Sequence, residues 1–169
     1  GWLAGCGAPA EVDQAALEQA VERWERPFRQ APGDLNAIRE RLYELMWNDV
    51  GILREESALT RALQGLQVLH EELQRTGVSA ASRAYHLAWH DWMNLDSLLL
   101  ISKTITHAAL ARCNSRGAHF REDYPEPGNL EQSAFTRIRL KGDAYDLQFM
   151  PVVFSRVTPG KSLLEPETA

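Results

Sequence analysis

Cysteine is nearly missing. The 169 residues hold two, Cys6 and Cys113, far apart and in no CxxC or Cys/His spacing, which excludes a disulfide framework and a thiolate zinc site. A reducing, cytoplasmic-side setting is the simplest reading of that usage. Long apolar runs are missing too: the longest, Leu98-Leu99-Leu100-Ile101, is closed by Ser102-Lys103, far short of the roughly 18 residues a membrane helix needs. Any membrane contact would come through partners and not through a span. Charge of one sign is not concentrated, since 18 Lys and Arg stand against 23 Asp and Glu and alternate with them, as in Glu22-Arg23-Trp24-Glu25-Arg26. Nucleic acid is thereby excluded as a partner, because a phosphate backbone needs a clustered basic face. Neither GxGxxG, GxxxxGK[ST] nor GxSxG occurs, so this chain has no glycine-rich cradle for a nucleotide or dinucleotide phosphate.

What is present is one domain's worth of residues with an ordinary apolar share of 44%, enough to bury a core without staples. Leu3-Ala4-Gly5-Cys6 has the look of a lipoprotein cleavage box, but the charged and apolar stretches that must precede one are absent. Residues 1–11, rich in Gly and Ala around Pro9, read instead as a linker, and a chain that begins in a linker reads as a piece of a longer one.

Helical spacing governs residues 12–125. Ala16, Leu17, Ala20, Val21 and Trp24 form an amphipathic stripe over Val12 to Phe28, capped by Asp13 and limited by Pro27. Asp34 caps a second helix through Leu35, Ile38, Leu42, Leu45 and Met46, which should stop at a left-handed Gly51. A third, Glu55 to Arg75, carries Leu59, Ala62, Leu63, Leu66, Leu69 and Leu73 on one side, with Gly77 as stop signal. From Ser79 the composition stays helical through Trp89, Trp92, Leu95, Leu99 and Ile105 to Gly117, with Asn94 as a break or bend. Beyond Pro125 the period changes to two, in Thr136–Leu140 and Tyr145–Phe149 around a Lys141-Gly142-Asp143-Ala144 turn, which predicts a hairpin. The expected organisation is a linker (1–11), a helical bundle (12–125), and a β-hairpin appendage with a polar tail (126–169).

His86 and His90, four apart with Asp91 adjacent, could face one metal, but the Glu of a zinc-protease HExxH is replaced by Leu87. They read as partly buried histidines beside tryptophan, with no metal. Trp47, Trp89 and Trp92 at helical spacing read as core, and Cys113 as a small buried hydrophobe. The densest chemistry is Ser115-Arg116-Gly117-Ala118-His119-Phe120-Arg121-Glu122-Asp123-Tyr124-Pro125. Two arginines, a histidine and two carboxylates there could recognise an anion or act as acid and base. Equally, Gly117 could turn the chain, Arg116 and Arg121 could pair with carboxylates or carbonyls, and Pro125 could fix the exit.

That stretch resembles the S-R-G-A-H-x-R-x-D-[FY]-P motif near the C-terminus of succinate dehydrogenase and fumarate reductase flavoproteins. Met46-Trp47-Asn48-Asp49-Val50-Gly51-Ile52-Leu53-Arg54 is similar to the same family's M-[WQ]-x-x-x-[GA]-[VI]-x-R helix end, and Asn94-Leu95-Asp96-Ser97-Leu98 to its N-L-x-x-[LM]. Order and spacing agree from about Leu35 to Pro125. L-aspartate oxidase, a relative, shares the first two motifs, whereas Leu147-Gln148-Phe149-Met150-Pro151-Val152 resembles the strand that closes succinate dehydrogenase chains. The resemblance implies an all-α fold, a three-helix, spectrin-repeat-like bundle, here with an extra N-terminal helix and a small C-terminal β-hairpin. It implies FAD in a parent protein but none bound by this piece, with no catalytic or cofactor-binding residue carried over. Partners would be the flavin-binding and capping domains of the same polypeptide and an iron–sulfur subunit, with a cytoplasmic location, peripheral on the membrane through those partners. By the same analogy Arg54, Ser115, Arg116, Gly117, His119, Arg121, Asp123 and Tyr124 form an interface and folding motif. A free-standing helical interaction module is the reading from outside the family.

Overall fold

The computed structural model describes residues 11–79, 82–142, 144–156 and 159; nearly all of the expected linker and polar tail lies outside them. The first helix, α1 (Gln14–Glu25), starts where Asp13 accepts a hydrogen bond from the Ala16 amide at 3.1 Å. Its apolar stripe does not enter the core, however. The helix buries no residue, and Leu17 and Val21 face outward. It is held at its C-terminal end, where Trp24 packs against the core cluster and a 3-10 turn, Arg26–Arg29, puts Pro27 inside.

The bundle proper is α2 (Leu35–Val50), α3 (Glu56–Arg75) and α4 (Leu87–Ala111). Asp34 caps α2 through the Ala37 amide at 3.0 Å, so both aspartates satisfy amides that a helix start leaves without an intrahelical partner. Ile38 and Leu42, Leu66, Leu69 and Leu73, and Trp92, Leu95 and Leu99 make one continuous core across the three helices. Val50, Leu59, Ala62 and Ala109 make a second cluster. Trp92 is fully buried and donates its indole N–H to the carbonyls of Leu73 at 3.1 Å and Thr76 at 2.9 Å, so the largest core side chain also closes the end of α3.

Several expectations are corrected. Gly51 ends α2 with φ −62°, not in the left-handed region; glycine is needed because a Cβ would lie 2.4 Å from the Trp47 carbonyl oxygen. Helix α4 begins at Leu87 rather than near Ser79 and runs through Asn94 without a break. His86 is its cap: Nδ1 accepts from the Trp89 amide at 3.0 Å, and Nε2 donates to the Ser79 carbonyl at 2.6 Å. Both ring nitrogens are thus occupied by backbone, and His90 is exposed. Trp47 is 77% exposed instead of core, and Cys113 is exposed as well. Trp47 is on α2, whereas Cys113 lies past the end of α4 at Ala111; along α4 itself Leu98, Ile101 and Ile105 lie on the outer side because apolar residues surround most of that helix and the stripe loses its phase.

Two small sheets complete the fold. The expected hairpin is present and longer than its clearest alternation: β3 (Ala134–Lys141) pairs antiparallel with β4 (Ala144–Pro151), with Ile138 opposite Leu147. The other sheet was not anticipated. Two residues after α2, β1 (Leu53–Arg54), pair in parallel with β2 (Phe120–Arg121), and the Glu122 amide donates to the Arg54 carbonyl at 2.8 Å. Among the described residues no helix is long and apolar enough to cross a membrane.

The core and the outer helix should respond differently to truncation. Leu66→Ala, at a fully buried position, should lower unfolding free energy by about 2–5 kcal/mol, and Leu17→Ala by at most about 0.5 kcal/mol. Urea midpoints compared at equal slope measure both.

Candidate functional site

The parallel pairing of β1 with β2 brings the two best-matched sequence motifs side by side, because Leu53 meets Phe120 and Arg54 meets Arg121. The backbone turns between Arg116 and His119, which form an antiparallel bridge. Gly117, at φ +57°, takes the first central position of that tight turn, a conformation that costs a side-chain-bearing residue and favours glycine. Ser115 fixes the far side: its hydroxyl accepts from the Arg121 amide at 2.9 Å and donates to the Tyr124 carbonyl at 2.8 Å.

Arg121 is the centre of the site and is 1% exposed. Its Nε and one terminal nitrogen grip both Asp123 oxygens at 2.6 Å each. The other terminal nitrogen donates to the carbonyls of Ala109 at 3.1 Å and Leu110 at 3.0 Å, the last turn of α4. Asp123 in turn accepts from the Glu56 amide at 2.9 Å, the first residue of α3, whose own cap residue Glu55 supplies no side-chain bond. A cation therefore sits on a helix C-terminus and an anion on a helix N-terminus, each against the favourable end of a macrodipole. The forked, charge-assisted pair joins the two ends. The Arg121 guanidinium also lies over the Tyr124 ring, 4.9 Å from its centre.

Arg54 closes the remaining helix of the bundle, α2. Its Nε donates to the Val50 carbonyl at 3.0 Å, the end of α2, and a terminal nitrogen donates to His119 Nδ1 at 2.9 Å. Since guanidinium can only donate, His119 is the Nε2–H tautomer, and that hydrogen reaches the Arg112 carbonyl at 3.2 Å. Burial, with the Arg54 charge against the ring, holds the His119 pKa below the ordinary histidine value. Arg116 points the other way, donating to the carbonyls of Pro127 at 2.5 Å and of Asn129, and to the Ser133 hydroxyl at 2.7 Å, which anchors the loop before β3. All eight residues singled out from the sequence thus lie in or beside one turn, and the side chains of Ser115, His119, Arg121 and Asp123 and most donors of Arg54 and Arg116 are engaged with this chain's own backbone and side chains.

A second polar centre escaped sequence reasoning. Asp96, 1% exposed, is held by Arg23 at 2.5 Å and by Gln74 at 2.9 Å. Its spacing of four from the buried Trp92 is the signal that could have found it, a carboxylate in the core phase of a helix.

These observations define a class: an all-α bundle domain whose helix ends are clasped by a buried arginine–carboxylate motif, with a β-hairpin attached. Comparison places it further. A family model described as fumarate reductase flavoprotein C-term matches residues 39–164, and the chain belongs to that family. It is 35% identical over 118 residues to the succinate dehydrogenase flavoprotein subunit of Coxiella burnetii, covering 70% of this chain and 19% of that protein. It is 37% identical over 87 residues to L-aspartate oxidase 1 of Ralstonia nicotianae, covering 52% of this chain and 15% of that protein. Among solved structures, Mycobacterium smegmatis Sdh1 in complex with UQ1 superposes with a TM-score of 0.80 at 26% identity, over 90% of this chain and 26% of that one. The chain therefore spans about a quarter or less of the length of these relatives.

The clasp has a defined pH signature. Asp123, gripped first by Arg121 and also by the Glu56 amide, titrates at about 2 against an ordinary 3.8. A carboxyl depressed in the folded state contributes its full stabilisation above the unfolded value and loses it as pH falls towards the folded one. The stability difference between the native chain and Asp123→Asn should accordingly be constant above about pH 5 and shrink from pH 4 to pH 2. Arg121→Met, which leaves a carboxylate and two carbonyls without their donor, should cost about 3 kcal/mol or more at pH 7. Urea unfolding across pH reads both.

Proposed function

We propose that this chain serves as the C-terminal, non-catalytic domain of an FAD-dependent oxidoreductase of the succinate dehydrogenase/fumarate reductase type. In that role it packs on the flavin-binding and capping domains of the same polypeptide, near an iron–sulfur electron-transfer partner, on the cytoplasmic side and peripheral to the membrane through other subunits. FAD would be held by the domain it packs against.

The observation that carries the reading is the state of the motif. Arg121 makes four hydrogen bonds within the chain and is inaccessible, and Arg54 and His119 occupy each other. A general acid or an anion-binding guanidinium needs a free donor within reach of a substrate, so these residues suit a folding role. Their consequence is a surface. Holding β1 against β2 leaves Ile52 75% exposed and Leu53 59% exposed beside Trp47, with Phe120 opposite Leu53 in the sheet. An apolar patch of large side chains fits burial against another protein surface. The named relatives support flavin chemistry as the purpose of the whole protein.

A second reading places the same domain in an L-aspartate oxidase, favoured by the relative of that name. Expression of the complete polypeptide, with a flavin spectrum and side-by-side assays of succinate, fumarate and aspartate, separates the two. A complete polypeptide without flavin would leave the free-standing module instead. Ile52→Asp in the complete polypeptide should lower flavin retained per polypeptide several-fold, and the same change in this chain alone should leave its unfolding free energy, read by urea, within about 0.5 kcal/mol of the unsubstituted chain. Equal flavin content in both complete polypeptides would remove the patch from the docking interface.

A further inference from the structure

The Asp96 centre continues outward to a cleft that the clasp does not involve. Asp96 also faces His70 Nε2 at 3.4 Å, and on the other side of that ring His70 Nδ1 accepts from Lys103 Nζ at 2.8 Å. An ammonium has donors only, so the His70 proton sits on Nε2, towards the carboxylate. Burial would raise the Asp96 pKa, but the hydrogen bonds from His70 and Arg23 outweigh it and hold the carboxyl below its usual value. Lys103 gives a second hydrogen to Gln67 Oε1 at 2.9 Å. Two bonds fix the ammonium, and a third N–H remains.

Lys103 lines a cleft of about 550 Å³ between α3, α4 and the β3–β4 hairpin, within the size range of small-molecule sites. His107 and Tyr145 line it as well, their rings 4.5 Å apart and tilted by 39°. Among the described residues the His107 ring has no hydrogen-bond partner. Leu63, Leu100 and Leu140 supply apolar wall. Burial lowers the Lys103 pKa, against the opposing charges of Glu71 and Asp96, and burial with the Lys103 charge lowers that of His107. Among the described residues the carboxylates nearest the ammonium are engaged elsewhere: Asp96 with Arg23, and Glu71, exposed, with the Gln67 amide at 2.8 Å. A partly buried cation with a spare donor, an imidazole without a partner among the described residues and an apolar wall lack one thing, a negatively charged hydrogen-bond acceptor attached to an apolar body.

We infer that this cleft binds a small organic carboxylate, its charged end between Lys103 and His107 and its apolar body on Tyr145 and Leu140. The inference is independent of the docking role and of the flavin chemistry. Benzoate serves as probe, titrated into the full chain while the imidazole nitrogen signals of His107 and His70 are followed by NMR. Saturable shifts of both signals are expected, with benzamide, the neutral counterpart, much weaker. Lys103→Met should weaken benzoate about tenfold or more, and Tyr145→Ala should weaken it while leaving the fold intact by circular dichroism. Absence of saturation overturns the proposal. So does benzamide binding as well as benzoate, or inorganic phosphate binding as well as benzoate, since either would remove one half of the recognition. If Lys103→Met fails to fold, the benzoate-to-benzamide ratio and Tyr145→Ala decide.

Discussion

Arg121 and Asp123 lie where two helix ends of opposite polarity have to be joined. Carbonyls at the end of α4 and an amide at the start of α3 each need a partner when tertiary packing crowds water away. One planar cation and one carboxylate, two residues apart in sequence, supply both. Because the guanidinium is almost wholly buried, the pair is not the exposed kind that contributes little. Removing either partner would leave a charge or a helix end without compensation in a low-dielectric setting. The positions of β2, of the Ser115 turn and of the β1 pairing all depend on this clasp, since each is one or two bonds away from it.

The constraint also explains why two sequence motifs so far apart are needed. Arg54 ends α2 with one nitrogen and orients His119 with another, so α2, α3 and α4 are closed by residues that lie outside their own first and last turns. Ordinary local caps serve elsewhere, at Asp13 and Asp34. A cap delivered from 67 residues away, as Asp123 is to Glu56, makes helix termination conditional on the tertiary fold. That couples the orientation of the three helices to the geometry of the surface around Trp47 and Ile52.

Much of the fold was legible because local chemistry and tertiary packing agree there. Asp13 and Asp34 cap where their position before a periodic run says they should, and Leu59, Leu66, Leu69 and Leu73 of α3 bury as their spacing requires, with Leu63 left half-buried at the cleft. The hairpin was legible because alternation and the Gly142 turn point to one register. Legibility failed where a pattern had two uses. The stripe of α1 has the right period, but no element of the described chain covers it, and periodicity cannot tell a core face from a docking face. Trp47 was expected inside because it is a large aromatic at helical spacing, yet its place on the outer side of α2 is set by which face Ile38 and Leu42 occupy. The β1–β2 pair is two residues long on each side, too short for any alternation to register.

At the motif itself, residue types and their local order were readable but their employment was not. Arginines, a histidine and carboxylates together suit catalysis and anion binding as well as capping, and the difference lies in how many donors are left over. At the clasp nearly every donor is spent on backbone carbonyls and on Asp123, which makes the group rigid and chemically quiet. At Lys103 the count differs: two of three ammonium hydrogens are spent, and the neighbouring His107 ring has no partner among the described residues. The cluster that looked most reactive in sequence is the one with the fewest free donors. The capacity to bind resides instead around a lysine and a histidine that no motif marked, set four apart on one face of α4 and closed into a cleft only when the hairpin folds back with Tyr145 and Leu140.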